Sequence, residues 1–386
     1  MKYDFDKLTN RRKELSIKWN CGENELPMWV ADMDFEVAPE IVDRIKERVS
    51  HPCFGYSEIP SRWAKAYAEF WEGEFGAKMK EEALIFSLGI IPSLSSSIRA
   101  FSDPGDEVIL LTPVYNIFNH SVENSRRVVI PCSLINENER YSIDWSSLEK
   151  ALCSKKAKIL ILCNPHNPVG RAWSKEELSR LAAACSKRHI LVISDEVHGP
   201  ISGKDHPYVP FFSCGEEARD NSIALIAPTK AFNVAGVQTS ACYVENEEIR
   251  KKLAFALNAD EVMEGNFLSY IVSSSCFDEG REWLKEMNSY IRKNYVFALS
   301  YLQKHLPLIK LAPLEATYLM WADVSSYNGD DVSFCENLRK ETGLWITPGS
   351  TYGKEGKGHV RINLACPRKR LEDGMSRLVS YCQKFN

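Results

Sequence analysis

The middle of the chain alternates short apolar runs with longer segments whose apolar residues recur every three or four positions. The runs are EVILLTP (Glu107–Pro113), RVVIPC (Arg127–Cys132), KILILCNP (Lys158–Pro165), ILVISDE (Ile190–Glu196), SIALIAP (Ser222–Pro228) and SACYVEN (Ser240–Asn246). Several are apolar almost without interruption, which suits strands buried on both faces. Between them, Ile90, Leu94, Ile98 and Phe101 form a helical stripe ended by the turn DPGD at Asp103–Asp106. Ser174 and Glu177 form an S-x-x-E capping box ahead of Leu178, Leu181, Ala182 and Cys185, which predicts a helix start. Strands alternating with helices predict an α/β fold, a mostly parallel sheet covered on both faces in three α/β/α layers.

The pattern changes near residue 280. A long amphipathic segment from Arg281 leads to TYLMWADV (Thr317–Val324) and GHVRINLAC (Gly358–Cys366), which read as a smaller α+β lobe. The N-terminal stretch, with MWVADMDF at Met28–Phe35, does not match the central sheet and is expected to fold back onto that lobe. The expected division is a large domain over 45–280 and a small one built from 1–44 and 281–386.

Composition narrows the function. The chain has 386 residues, 44% hydrophobic and 26% charged, with a formal net charge of −4. These are the proportions of an ordinary globular protein, and the balance gives no reason to expect nucleic acid as a partner. No apolar run approaches the roughly 20 residues of a membrane span. The N-terminus, MKYDFDKLTNRRKELSIKW, lacks the apolar core of a signal peptide, so a cytoplasmic location is expected. Twelve cysteines are scattered without a C-x-x-C pair, which favours reduced thiols over disulfides or a metal site.

In open α/β sheets, ligands bind beyond the carboxyl ends of the strands. Tyr115 follows the first run, Asn164 and Asn167 follow KILIL, Asp195 and His198 follow ILVI, and Thr229 and Lys230 follow IALIAP. Gly89 precedes the helix at Ile90. Each has a plain alternative: Tyr115 as core filler, NPHNP as a turn, Asp195 as a helix cap, Lys230 reaching out of the sheet edge. Together they match the needs of pyridoxal phosphate. A desolvated lysine is a nucleophilic amine, a carboxylate keeps the pyridine nitrogen protonated, an aromatic face stacks on the ring, and a glycine-led helix start binds the phosphate. Other motifs fail. GSTYGKE (Gly349–Glu355) is one residue short of a phosphate loop, and no G-x-G-x-x-G, G-x-S-x-G or H-E-x-x-H supports another chemistry.

Over nearly its whole length the sequence resembles the fold-type I pyridoxal-phosphate enzymes of the aminotransferase class I/II superfamily. Within it, the chain looks most like the MalY/PatB group of cystathionine β-lyases (C–S lyases). MWVADMDF, HPCFGYSEIP (His51–Pro60), NPHNPVGRAWSKEEL (Asn164–Leu178), ISDEVH (Ile193–His198), PTKAFNVAG (Pro228–Gly236) and VRINLACP (Val360–Pro367) carry the resemblance. It implies that Lys230 bears the cofactor and acts as acid and base, that Asp195 pairs with the pyridine nitrogen, and that Tyr115 stacks on the ring. Asn167 and His198 would lie near its phenolate oxygen. Gly89, Ile90, Ile91 and Thr229 would hold the phosphate. Arg361 would bind the substrate carboxylate, and Trp29 and Asp32 would line the substrate entrance. Tyr56 would reach the neighbouring site across a homodimer. The implied reaction is β-elimination of L-cystathionine or another cysteine S-conjugate to a thiol, pyruvate and ammonia, as in methionine biosynthesis. An aminotransferase on the same scaffold and a pyridoxal-phosphate-binding regulator are the competing readings. The chain also departs from the wider pattern: Ala227 and Gln238 stand where many relatives place a serine and a basic residue for the phosphate.

Overall fold

The computed structural model describes residues 2–203 and 205–385. Its centre is a seven-stranded sheet of β1 (Leu84–Ser87), β2 (Glu107–Thr112), β3 (Val128–Ser133), β4 (Ala157–Cys163), β5 (Leu191–Asp195), β6 (Ser222–Ile226) and β7 (Ser240–Tyr243), in the spatial order β1-β7-β6-β5-β4-β2-β3. The strands β6, β5, β4, β2 and β3 pair in parallel. Only β7 runs against its neighbours, antiparallel to both β6 and β1. Two reversals restore the direction, so the carboxyl end of β1 lies on the same sheet edge as those of β4, β5 and β6.

Both sheet faces are covered, which explains the unbroken apolar runs. Side chains along a strand alternate between faces. Val108, Leu110, Ile159, Ile161 and Ile193 meet the helices Ile90–Phe101, Ile117–Asn124 and Glu247–Ala259. Ile109, Leu111, Leu160, Leu162 and Val192 meet Trp145–Leu152 and Lys175–Ser186 on the other side. The second of these helices carries the expected capping box: Ser174 Oγ accepts the Glu177 N–H at 3.2 Å, and Glu177 Oε2 accepts the Ser174 N–H at 2.8 Å.

A smaller antiparallel sheet follows: β8 (Lys310–Leu311), β9 (Leu319–Asp323), β10 (Thr347–Pro348) and β11 (His359–Asn363), in the order β8-β9-β11-β10. The N-terminal stretch serves two cores. Tyr3, Phe5, Met33 and Phe35 pack into an aromatic cluster with Trp63, Tyr67, Phe70, Phe277 and Trp283. Trp19, Leu26 and Met28 join the core of the small sheet, where Leu26–Pro27 pairs in parallel with Leu344–Trp345. The helix Arg281–His305 spans both cores, with Trp283 and Met287 in the first and Ala298 and Leu302 in the second. Among the described residues no helix is long and apolar enough to cross a membrane.

Candidate active site

The carboxyl edge of the large sheet opens into a cavity of about 420 Å³, within the usual range for small-molecule sites. Its walls include Gly89, Ile90, Ile91, Tyr115, Asn167, Asp195, His198, Thr229, Lys230 and Arg361, so the expected residues share one space. Strand register accounts for part of this. Cys163, the last residue of β4, stands opposite Asp195, the last of β5, and Asp195 stands opposite Leu225 of β6, just ahead of the Lys230 loop.

The Lys230 loop is held tightly. The Phe232 N–H returns to the Pro228 carbonyl at 2.9 Å and the Val234 N–H to the Thr229 carbonyl at 3.1 Å. Asn233 adopts φ 58°, a left-handed conformation that asparagine tolerates, and its side chain donates to the Phe35 carbonyl at 2.8 Å. Phe232 is fully buried among Phe70, Phe277 and Trp283. Lys230 Nζ donates to the Ala31 carbonyl at 2.7 Å. Desolvation lowers the lysine pKa, and Arg361 pushes the same way, against Asp32 and Asp195. A larger neutral fraction makes the amine a better nucleophile and base.

Asp195 is buried and accepts the Val197 N–H at 3.1 Å. Burial raises its pKa to about 6, and Lys230 opposes the rise only partly. Among the described residues the carboxyl pairs with no cation, and it gains from one placed in the cavity. His198 is kept neutral, with its pKa lowered to about 3 by desolvation and then by Lys230 and Arg361. Its ring stands edge-on to Tyr318 at 5.6 Å, and its Nδ1 has no hydrogen-bond partner among the described residues. Tyr115 stands edge-on to Phe118 at 5.6 Å, and burial raises its pKa, so it stays a neutral phenol.

Arg361 comes from β11 of the small sheet and is buried. Its Nη1 donates to Asn167 Oδ1 and its Nη2 to the Trp29 carbonyl, both at 3.0 Å. The guanidinium lies 4.8 Å from the centre of the Tyr352 ring. Its Nε is buried without a hydrogen-bond partner among the described residues, leaving charge-assisted hydrogen-bonding capacity for a carboxylate. The helix Ile90–Phe101 starts at Gly89 with no side-chain cap, so its first amides are open to the cavity. Lys230 and Arg361 are the only cations among the described lining residues, and Thr229 and Gln238 add neutral polar groups.

A family model for aminotransferase class I and II matches residues 23–378. The chain belongs to that family. It is 35% identical over 381 residues to cystathionine β-lyase PatB of Bacillus subtilis (strain 168), covering 97% of this chain and 98% of the relative. Cystalysin from Treponema denticola, whose crystal structure contains a pyridoxal 5'-phosphate cofactor, superposes with a TM-score of 0.97 at 30% identity over 100% of both chains. A pyridoxal-phosphate-bound C–S lyase from Staphylococcus hominis gives a TM-score of 0.93 at 29% identity, over 99% of this chain and 98% of that one.

The cavity brings most of the expected residues together, and Trp29, Tyr56 and Asp32 lie outside its walls. Trp29 does not line the cavity. Its indole stacks on Trp345 at 4.7 Å, and its contribution is the carbonyl that accepts from Arg361 and from Thr347 Oγ1. In MWVADMDF, Val30 and Ala31 line the cavity, and the Trp29 ring packs on Trp345, which pairs with Pro27. Tyr56 is fully exposed, in the irregular segment His51–Pro60, and lies outside its own chain's cavity. Asp32 lines an adjoining groove. Sequence reasoning missed Tyr352, which lies in the stretch that failed as a phosphate loop, and the Ala31 carbonyl. Neither carries a local signal, because both act through contacts distant in sequence.

Proposed function

We propose that this chain is a pyridoxal-phosphate-dependent carbon–sulfur β-lyase that converts L-cystathionine or another cysteine S-conjugate to a thiol, pyruvate and ammonia. The observation that carries the reading is the convergence of a desolvated lysine, a buried carboxyl without a counter-ion and an arginine with a free Nε in one cavity. The relatedness to PatB and cystalysin supports it. The residues fit the cofactor. The orphaned His198 Nδ1, the uncompensated Asp195 and the uncapped helix start each call for a group the protein does not supply.

When bound, pyridoxal phosphate supplies an electrophilic carbon for amines and an electron sink for the bond broken at the substrate Cα. The protein's part is binding, orientation and proton handling. Lys230 would hold the cofactor, and its Nζ would take the proton from the substrate Cα. Asp195 would hold a proton at the pyridine nitrogen, giving its buried carboxyl a cation to partner. Tyr115 would pack against the cofactor ring. Arg361, fixed by Asn167 and the Trp29 carbonyl, holds the substrate carboxylate. Gly89, Ile90, Ile91, Thr229 and Gln238 offer neutral donors to the phosphate.

The proposal includes a homodimer in which Tyr56 reaches the neighbouring site. Its complete exposure beside the exposed Phe54 and Ile59 supports this. The same reading takes 45–280 as the cofactor lobe and 1–44 with 281–386 as the lobe that brings Arg361, in a cytoplasmic enzyme serving methionine synthesis.

The decisive experiment gives the purified, cofactor-loaded enzyme L-cystathionine without a keto acid. Sustained release of pyruvate and thiol is expected. A single half-turnover that leaves the amine form of the cofactor would instead establish an aminotransferase. Absence of a yellow chromophore, or one that borohydride attaches equally to the Lys230→Ala protein, would end the pyridoxal-phosphate reading.

A further inference from the structure

A groove of about 880 Å³ adjoins the active site, and Val30, Ala31, Lys230 and Ala235 line both spaces. The two therefore meet at the lysine. The outer wall comes from the N-terminal segment around Arg11 and from the turn that carries Asp32 and Asp34.

That turn is pinned from below. Lys18, 1% exposed, donates to Asp34 Oδ1 at 3.1 Å and to the Asp32 carbonyl at 2.9 Å. The Trp19 indole donates to Asp34 at 2.8 Å, Arg370 Nη1 lies 3.4 Å from its other oxygen, and the Asn363 amide donates to the Asp32 carbonyl at 2.7 Å. The Asp34 charge is thus satisfied inside the protein. The Asp32 carboxylate remains partly exposed to the groove, with Arg11 Nη1 3.0 Å from its Oδ2. Arg11 Nη1 also donates to the Met33 carbonyl at 2.7 Å, which fixes the guanidinium, and Glu14 lies 3.6 Å from its Nε. Other charges of the groove pair elsewhere, Asp43 with Lys46 at 3.1 Å and Glu36 with Lys7 at 2.8 Å. Arg11 Nη2 and Asp32 Oδ1 have no hydrogen-bond partner among the described residues.

One guanidinium nitrogen, Arg11 Nη2, and one carboxylate oxygen, Asp32 Oδ1, without partners among the described residues and anchored through their ion pair on a buried network, complement the head of an amino acid. Its carboxylate suits the guanidinium and its ammonium suits the aspartate. Anchoring also lowers the ordering cost of binding. We propose that Arg11 and Asp32 form a subsite for a second amino-acid head, so that the enzyme selects cysteine S-conjugates whose leaving thiol itself carries an ammonium and a carboxylate. This rests on the C–S lyase reading and names its substrate class.

The test measures kcat/KM for the loaded wild-type, Asp32→Asn and Arg11→Met enzymes on four conjugates. These are L-cystathionine, S-(3-aminopropyl)-L-cysteine, S-(3-carboxypropyl)-L-cysteine and S-propyl-L-cysteine. Asp32→Asn should lose about tenfold on the two substrates with a distal ammonium, and Arg11→Met about tenfold on the two with a distal carboxylate, the size of one charge-assisted hydrogen bond. Each variant should change by less than about twofold, relative to S-propyl-L-cysteine, on the substrate lacking its partner group. Referring to S-propyl-L-cysteine removes any general effect of Asp32 on Lys230. If Arg11→Met does not fold, the wild-type series decides alone, with cystathionine preferred over S-propyl-L-cysteine by roughly a hundredfold, two such bonds. A flat wild-type series, or losses equal on all four substrates, overturns the subsite and leaves the lyase reading standing. No turnover of any conjugate removes the lyase reading and the subsite with it.

Discussion

Asp195→Asn should stabilise the protein when it has been stripped of cofactor, although the same change should cripple the enzyme. The carboxyl is buried, accepts one backbone N–H, and is raised from its ordinary 3.8 to about 6. At 1.36 kcal/mol per decade, this corresponds to roughly 3 kcal/mol. An acid whose folded pKa lies above its unfolded value weakens the fold once it ionises. The penalty is small at pH 4, grows between pH 4 and 6, and is constant above that. Asparagine keeps an oxygen for the Val197 N–H and carries no charge. Urea unfolding of the stripped proteins should therefore show the variant more stable by up to about 3 kcal/mol at pH 8, by about half that at pH 5, and by little at pH 4. Reloading pyridoxal phosphate should shrink or reverse the gap at pH 8, because the pyridine cation partners only the aspartate. A variant no more stable than wild type at pH 8, or a gap that ignores pH, would refute the argument that burial leaves Asp195 waiting for a cation.

Three further outcomes follow from the same structure. Ser174→Ala removes the reciprocal cap of the helix Lys175–Ser186 and should cost about 1 kcal/mol in urea unfolding, with kcat unchanged. Phe232→Ala empties a fully buried site behind the Lys230 loop; a loss of about 3–5 kcal/mol is expected, with weakened cofactor retention measured by dialysis and absorbance. His359 is buried, which opposes its protonation, but Glu139 Oε2 at 3.0 Å outweighs this and raises its pKa. That contribution is present in full below about pH 6.5 and lost as pH rises through the raised value. The stability gap between wild type and Glu139→Gln should therefore narrow as pH rises above about 6.5, and a constant gap would exclude the imidazolium–carboxylate pair.

Much of the fold was legible along the chain because its signals are local. Near-continuous apolar runs mark strands covered on both faces, and the Ser174–Glu177 box marks a helix start whatever surrounds it. Once the sheet is parallel, the edge where the strands end follows, and with it the grouping of Tyr115, Asn167, Asp195 and Lys230. The remainder depended on contacts between segments far apart in sequence. The Trp29 ring was expected at the substrate entrance, but packing against Trp345 turns it away and presents its carbonyl to Arg361. Arg361 could be named from its motif, yet what holds it, Asn167 on one side and Tyr352 beneath, required a second sheet folded against the first. Periodicity says which face of an element is buried but not which element it meets. The pairing of Arg11 with Asp32 over the buried Lys18–Asp34 pair belongs to that second kind of information, because a charge in sequence acquires a partner only when the chain closes on itself.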